Sequence, residues 1–223
     1  MLLGCRETIR LALGRTRNEC VETSWTDAGD IDPPEWLQCG DANYAGGTIL
    51  ESGYRIVLKA TPEEVWEPIL KVGGKTGWYS GNFLWALRGL VDRLVGGIGH
   101  RRGRRHPHEL CAGDAVDFFR VLEVTPPHRL QLLAEMIIPG EAILQFDLYP
   151  LEGGGTEVQE LARYLPRGLL GLIYWYALYP FNQWVLSGML RGIAKTLGRP
   201  ILKGPDRFAP RWHHICYLDP RSR

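Results

Sequence analysis

Residues 167–197, RGLLGLIYWYALYPFNQWVLSGMLRGIAKTL, decide the fold. From Gly168 to Leu190 no residue is charged, and Leu169, Leu170, Leu172, Ile173, Tyr174, Trp175, Tyr176, Leu178 and Phe181 supply an almost unbroken apolar run. Its length and composition predict one long helix, bent at Pro180. By length alone it also qualifies as a membrane span. Against a span stand Pro180, Asn182, Gln183 and Ser187 in mid-segment, together with the elements that precede it. A buried helix of a soluble domain is therefore the first expectation, and peripheral membrane contact the second.

The preceding elements are strands. Ala115 to Val124, Arg129 to Ile138, Ala142 to Tyr149 and Thr156 to Tyr164 are separated by Pro126-Pro127, Pro139-Gly140 and Gly153-Gly154-Gly155, the pattern of an antiparallel meander. Further upstream, Tyr54, Ile56 and Leu58 alternate with Arg55, Val57 and Lys59, as in a half-buried strand. Thr61, Pro62 and Glu64 then supply an N-cap, a first-turn proline and a capping-box carboxylate. The helix they open carries Val65, Trp66, Ile69 and Leu70 on one face, with Pro68 inside it and Gly73-Gly74 after it. A second short helix, from about Asn82 to Val95, sets Leu84, Leu87, Val91 and Leu94 along one stripe, with Arg88 and Asp92 one turn apart.

A single curved sheet has to cover its apolar face, and only the long helix is extensive enough to do so. The expected class is α+β with a helix-grip plan: a curved antiparallel sheet wrapped around a long C-terminal helix, with two short helices after the first strand. Incomplete packing between sheet and helix would leave an apolar cavity for a small molecule. The expected boundaries are an N-terminal arm over residues 1–45, a ligand-binding domain over 46–199 and a C-terminal tail over 200–223.

Composition narrows the function classes. With 223 residues and 45% hydrophobic content, the chain has enough apolar material for a full core. A formal net charge of +1 removes the whole-chain electrostatic case for nucleic acid. The five cysteines (Cys5, Cys20, Cys39, Cys111 and Cys216) are scattered, with no CxxC pairing, so a reducing cytoplasm is expected rather than a disulfide framework or a zinc site. Met1-Leu2-Leu3-Gly4-Cys5 imitates a lipoprotein cleavage box but lacks the charged and apolar regions that precede one. No GxGxxG follows a strand, and Gly74-Lys75-Thr76 comes after a helix without the leading glycine of a phosphate loop. No cofactor is expected.

The motifs GGKTGWY, LWALRGLVDRLVGG, HRRGRRHP, GDAVDFFRV, LLAEMIIPGEA and LPRGLLGLIYWYALYPF together resemble an uncharacterised bacterial family. Its members are often found C-terminal to atypical short-chain-dehydrogenase-like NAD(P)-binding domains. That family is similar in turn to the START-like (SRPBCC) superfamily of pollen allergens, polyketide cyclases and lipid-transfer domains. The resemblance implies the helix-grip fold, an internal cavity, and a separately encoded NAD(P)-binding protein as a conceivable partner. Asn182 stands where a histidine is usual in the pattern, and an amide does not titrate, so acid–base chemistry at that position is not carried over.

Candidate contacts follow from the residue types. His100, Arg101, Arg102, Arg104, Arg105 and His106 could grip an anionic group at a pocket mouth, or fasten their loop to Asp114, Asp117 or Glu135. Asp117, Arg120 and Glu135 lie in apolar surroundings, either as ligand contacts or as satisfied ion pairs. Trp78, Tyr79, Trp85 and Tyr174 offer broad amphipathic rings, useful at a cavity entrance and equally at home in a core. His106, His108 and Cys111 have metal-like spacing but no fourth ligand, so no metal is expected. The reading is a binder of a small hydrophobic molecule, with an anionic group as an option. The alternative is a cyclase-, hydratase- or lyase-type enzyme that uses Asp117, Glu135 or His100.

Overall fold

The computed structural model describes residues 5–17, 34, 36, 48–97, 99, 104, 106 and 109–209. In chain order these form α1 (Cys5–Arg17), β1 (Leu50–Leu58), α2 (Pro62–Leu70), α3 (Asn82–Leu94), β2 (Ala115–Val116), β3 (Phe119–Thr125), β4 (Arg129–Ala134), β5 (Gly140–Leu151), β6 (Gly155–Pro166), α4 (Gly168–Leu197) and β7 (Ile201–Phe208). Among the described residues seven strands make one antiparallel sheet in the order β2-β3-β4-β5-β6-β1-β7. The sheet curves around α4, so the architecture is the α+β helix grip.

Register explains which side chains meet α4. Tyr54, Glu160 and Phe146 stand in one row across β1, β6 and β5, and Ile56, Val158 and Leu148 in the next. Successive strand residues point to opposite faces, so these even-numbered positions share the inner face. There they pack with Val185, Leu186, Met189, Leu190 and Ile193 of α4. The odd-numbered positions carry a polar ladder on the outer face: Glu51 accepts from Arg163 at 3.1 Å, Gln131 reaches Gln145 at 3.2 Å, and Arg129 reaches Asp147 at 2.6 Å.

The strand expected over Ala115 to Val124 is interrupted. Asp117 adopts φ +54°, a left-handed conformation outside the extended range of a strand, and it separates β2 from β3. The next strand closes at Ala134, short of the expected Ile138. Beyond α4, residues 201–208 of the stretch read as a tail return to the sheet and pair with β1. From the N-terminal arm, the Trp36 indole donates to Glu141 Oε2 at 2.8 Å.

α2 is held as its sequence dictates. Thr61 Oγ1 accepts from the Glu64 amide, while the Glu64 carboxylate accepts from the Thr61 amide at 3.0 Å. Val65, Trp66 and Ile69 are buried against the core. α4 admits the loop between α2 and α3 through glycines: a Cβ at Gly188 would fall 2.1 Å from Ser80 Oγ, and one at Gly192 2.6 Å from Tyr79 Cβ.

Candidate functional site

The C-terminal half of α4 fills its share of the sheet, whereas the N-terminal half does not. Opposite that half the strands present Ala134, Ala142 and Ala162 where Leu and Phe occupy the other end, and the missing side-chain volume is a cavity of about 660 Å³. That size suits a drug-sized or lipid-sized molecule. Phe119, Leu144, Tyr164, Trp175, Val185 and Leu186 form its buried wall. Leu87 and Val91 of α3 and its C-cap Val95, with Ile137 and Phe181, line it and are also exposed, so they mark the opening.

α3 stands at this opening without the support its stripe predicted. Of the expected stripe, Leu84 alone is partly packed against the core; Leu87, Val91 and Leu94 are exposed, and the buried positions of the helix are Gly89 and Asp92. Polar contacts hold the helix instead. Asp92 Oδ1 accepts from the Ile137 amide at 2.7 Å, its Oδ2 accepts from the Gly99 amide at 2.9 Å, and Arg88 Nη2 donates to the Ile137 carbonyl at 2.7 Å. Both backbone groups of Ile137 are thus latched to one turn of α3. A Cβ at Gly97 would lie 2.3 Å from the Asp92 carboxylate, so the chain beyond the helix passes too close for any side chain there.

Few polar groups face the interior. The Tyr164 hydroxyl donates to the Pro139 carbonyl at 2.7 Å, and burial pushes its pKa up to about 12, with Tyr174 adding to the effect. Trp85 Nε1 and Arg88 Nε are buried donors with no hydrogen-bond partner among the described residues. They are one helical turn apart on α3, and both side chains line the cavity. Asn182 lines it from α4. Among the described lining residues there is no Asp, Glu, His or Lys.

Of the side chains singled out in the sequence, Trp85 and Tyr174 line the cavity. Trp78 is fully buried beside it, 5.6 Å from Trp85 between ring centres, and donates Nε1 to Asp117 Oδ2 at 2.9 Å. Asp117 also accepts from the Gly74 amide at 3.2 Å, which ties the GGKTGWY loop to the break between β2 and β3. Tyr79 donates its hydroxyl to the Pro68 carbonyl at 2.7 Å, and burial raises its pKa to about 12. Arg120 and Glu135 form a two-pronged pair at 2.9 and 3.3 Å. Arg104 is buried and donates to the carbonyls of Leu70 and Val72, closing the C-terminus of α2. None of these six lines the cavity. Arg101, Arg102, Arg105, His100 and His108 lie outside the described residues. Among the described residues no three His, Cys, Asp or Glu side chains gather as a metal set.

One buried acid had no signal in the sequence. Glu160 points into the inner face, fully buried, with neither carboxylate oxygen hydrogen-bonded within the described residues. Loss of water pushes its pKa well above the usual carboxylate range. It stands two residues from cavity-lining Ala162 on the same face of β6, toward the packed end.

The family described as Protein of unknown function (DUF2867) matches residues 44–189. No curated protein matches the chain. Among solved structures, an HSP90 activator from Plasmodium falciparum is similar at 12% identity, over 70% of this chain and 99% of that one, with a TM-score of 0.39. The di-domain ARO/CYC BexL from the BE-7585A biosynthetic pathway is similar at 14% identity, over 65% of this chain and 46% of that one, with a TM-score of 0.40. The Aha1 dimer from Colwellia psychrerythraea gives 12%, 66%, 96% and 0.38 in the same order. Likenesses this distant say nothing of activity.

Proposed function

We propose, for a chain that belongs to the family Protein of unknown function (DUF2867), that it binds a small, mainly apolar molecule between its sheet and the first half of α4. The observation that carries this reading is the apolar cavity of about 660 Å³. A void of that size in a folded core forfeits dispersion contacts on every wall, and an apolar guest restores them. Burial of the guest supplies affinity at about 25 cal/mol per Å², less the cost of association. Trp85 Nε1 and Arg88 Nε give the guest its orientation, because both are buried donors without a hydrogen-bond partner among the described residues and an acceptor group on the ligand would supply one. A carbonyl or carboxylate at one end of an otherwise apolar molecule fits that pair. Holding and orienting is favoured over proton transfer, since the described cavity walls offer no group that titrates near neutrality.

The test is displacement of an environment-sensitive dye by fatty acids, isoprenoids and polycyclic aromatics, with native mass spectrometry of the purified protein alongside. A paired variant, Ala162→Phe, fills the hollow end with a side chain of the type that fills the packed end. The expected result is binding by the wild-type protein and its loss in a still-folded Ala162→Phe. Absence of binding in the wild type, or equal binding in the filled variant, would overturn the proposal.

A further inference from the structure

We infer that the rim of the cavity docks onto an anionic lipid bilayer, so that the cavity opens against lipid rather than water; this rests on the binding function proposed above. The opening is framed by apolar side chains that face solvent. On α3, Leu90 and Leu94 extend the stripe of Leu87 and Val91, and Leu94 is 78% exposed. On α4, Leu169 and Leu170 of the first turn are more than two-thirds exposed, followed by Ile173, Tyr176 and Trp184. A soluble protein rarely leaves two neighbouring helices so bare unless the surface meets something apolar.

Charge identifies the occupant. Every exposed charged residue on α3 and α4 is basic: Arg93, Arg191 and Lys195; at the α4 N-cap, Arg167 pairs with Glu141 of β5 at 2.7 Å. The one acid of the two helices, Asp92, is buried in the latch to Ile137 and Gly99. Apolar side chains on two helices whose exposed charges are all basic complement an anionic headgroup layer over acyl chains, and Trp184 and Tyr176 are the residue types that settle at that boundary. A second copy of this chain fits less well, because a two-fold pairing of the same face brings like charges together. No helix among the described residues is long and apolar enough to cross a membrane, so the contact is along the surface. Docked in this way, an apolar guest moves between cavity and bilayer without crossing water.

The experiment is flotation of the full chain with vesicles of phosphatidylcholine, with and without phosphatidylglycerol, at low and high salt. The expected result is capture by the anionic vesicles, weakened by salt. The double substitution Leu90→Gln and Leu94→Gln, at exposed positions outside the cavity wall, should lower capture about ten-fold while leaving dye binding in place. Ala162→Phe should do the reverse, losing the dye and keeping capture, so failure of cargo binding and failure of docking are read separately. No capture by the wild type, or equal capture of the double variant, would overturn the inference. So would a dimer seen by sedimentation that the double variant abolishes, because that outcome gives the face to a second copy.

Discussion

The two halves of α4 meet the same sheet with opposite outcomes. The C-terminal half buries Met189, Leu190, Ile193 and Ala194 against Ile56, Phe146 and Leu148. The N-terminal half buries only Gly171 and Trp175, faces alanines across a cavity, and turns Leu169, Leu170 and Ile173 to solvent. The neighbouring short helices divide the same way: α2, capped and apolar on one side, belongs to the packed end, and α3, latched by Asp92 and Arg88, to the hollow end. Within one helix, then, similar apolar composition stabilises the fold at one end and prepares a surface at the other. Burial, not hydrophobicity, separates the two roles.

The sharpest way to break this contrast is truncation at both ends. Leu190→Ala at the packed end should cost about 2–5 kcal/mol, the penalty for a cavity in a core that cannot collapse. Leu170→Ala, at a side chain 72% exposed, should stay within about 0.5 kcal/mol. Chemical denaturation of both variants measures the pair, and equal effects would erase the distinction.

Glu160 tests the packed end by pH. Its folded-state pKa is raised, so the native protein holds a proton that the unfolded chain releases above its ordinary carboxylate pKa. Stability from this group is therefore fully present at low pH and is lost as pH climbs from about 4.5 through the folded value, by up to about 1.4 kcal/mol per pH unit. Glu160→Gln, which cannot ionise, should flatten that slope and be the more stable protein at pH 8. An unchanged slope would mean that the carboxyl finds water or a partner.

The hollow end is held by polar contacts, and Asp92→Ala should show it. Removing the carboxylate leaves the Ile137 and Gly99 amides without their acceptor, at about 1–3 kcal/mol. The loss should be local, appearing as faster amide exchange in α3 with little change at α2.

The packed end was readable from sequence because its signals are local. The Thr61–Glu64 box, the alternation of Tyr54, Ile56 and Leu58, and the bounds of α4 all depend on residues within a few positions of one another. The hollow end was not, because it depends on register. Ala134, Ala142 and Ala162 are unremarkable until strand pairing places them together opposite α4. The stripe on α3 has the right period for burial, and nothing in that period says that it faces an opening. Among the basic residues of 100–106, Arg104 alone is described as folding back onto the α2 carbonyls, a choice made by the end of a helix distant in sequence.

The smallest effect is also the most selective. Trp85→Phe keeps a ring against Trp78 and Phe118 but removes an indole N–H that is buried without a partner. Loss of an unsatisfied donor should leave the empty protein no less stable. A guest bearing an acceptor loses one hydrogen bond, worth about 1 kcal/mol or roughly five-fold in affinity, whereas a bare hydrocarbon loses nothing of the kind. Titrating a polycyclic hydrocarbon and its carboxylate derivative into both proteins separates the cases. Equal changes for the two ligands would mean that Trp85 contributes only surface. A selective loss for the carboxylate would make α3 both the cover of the cavity and the element that orients what it holds.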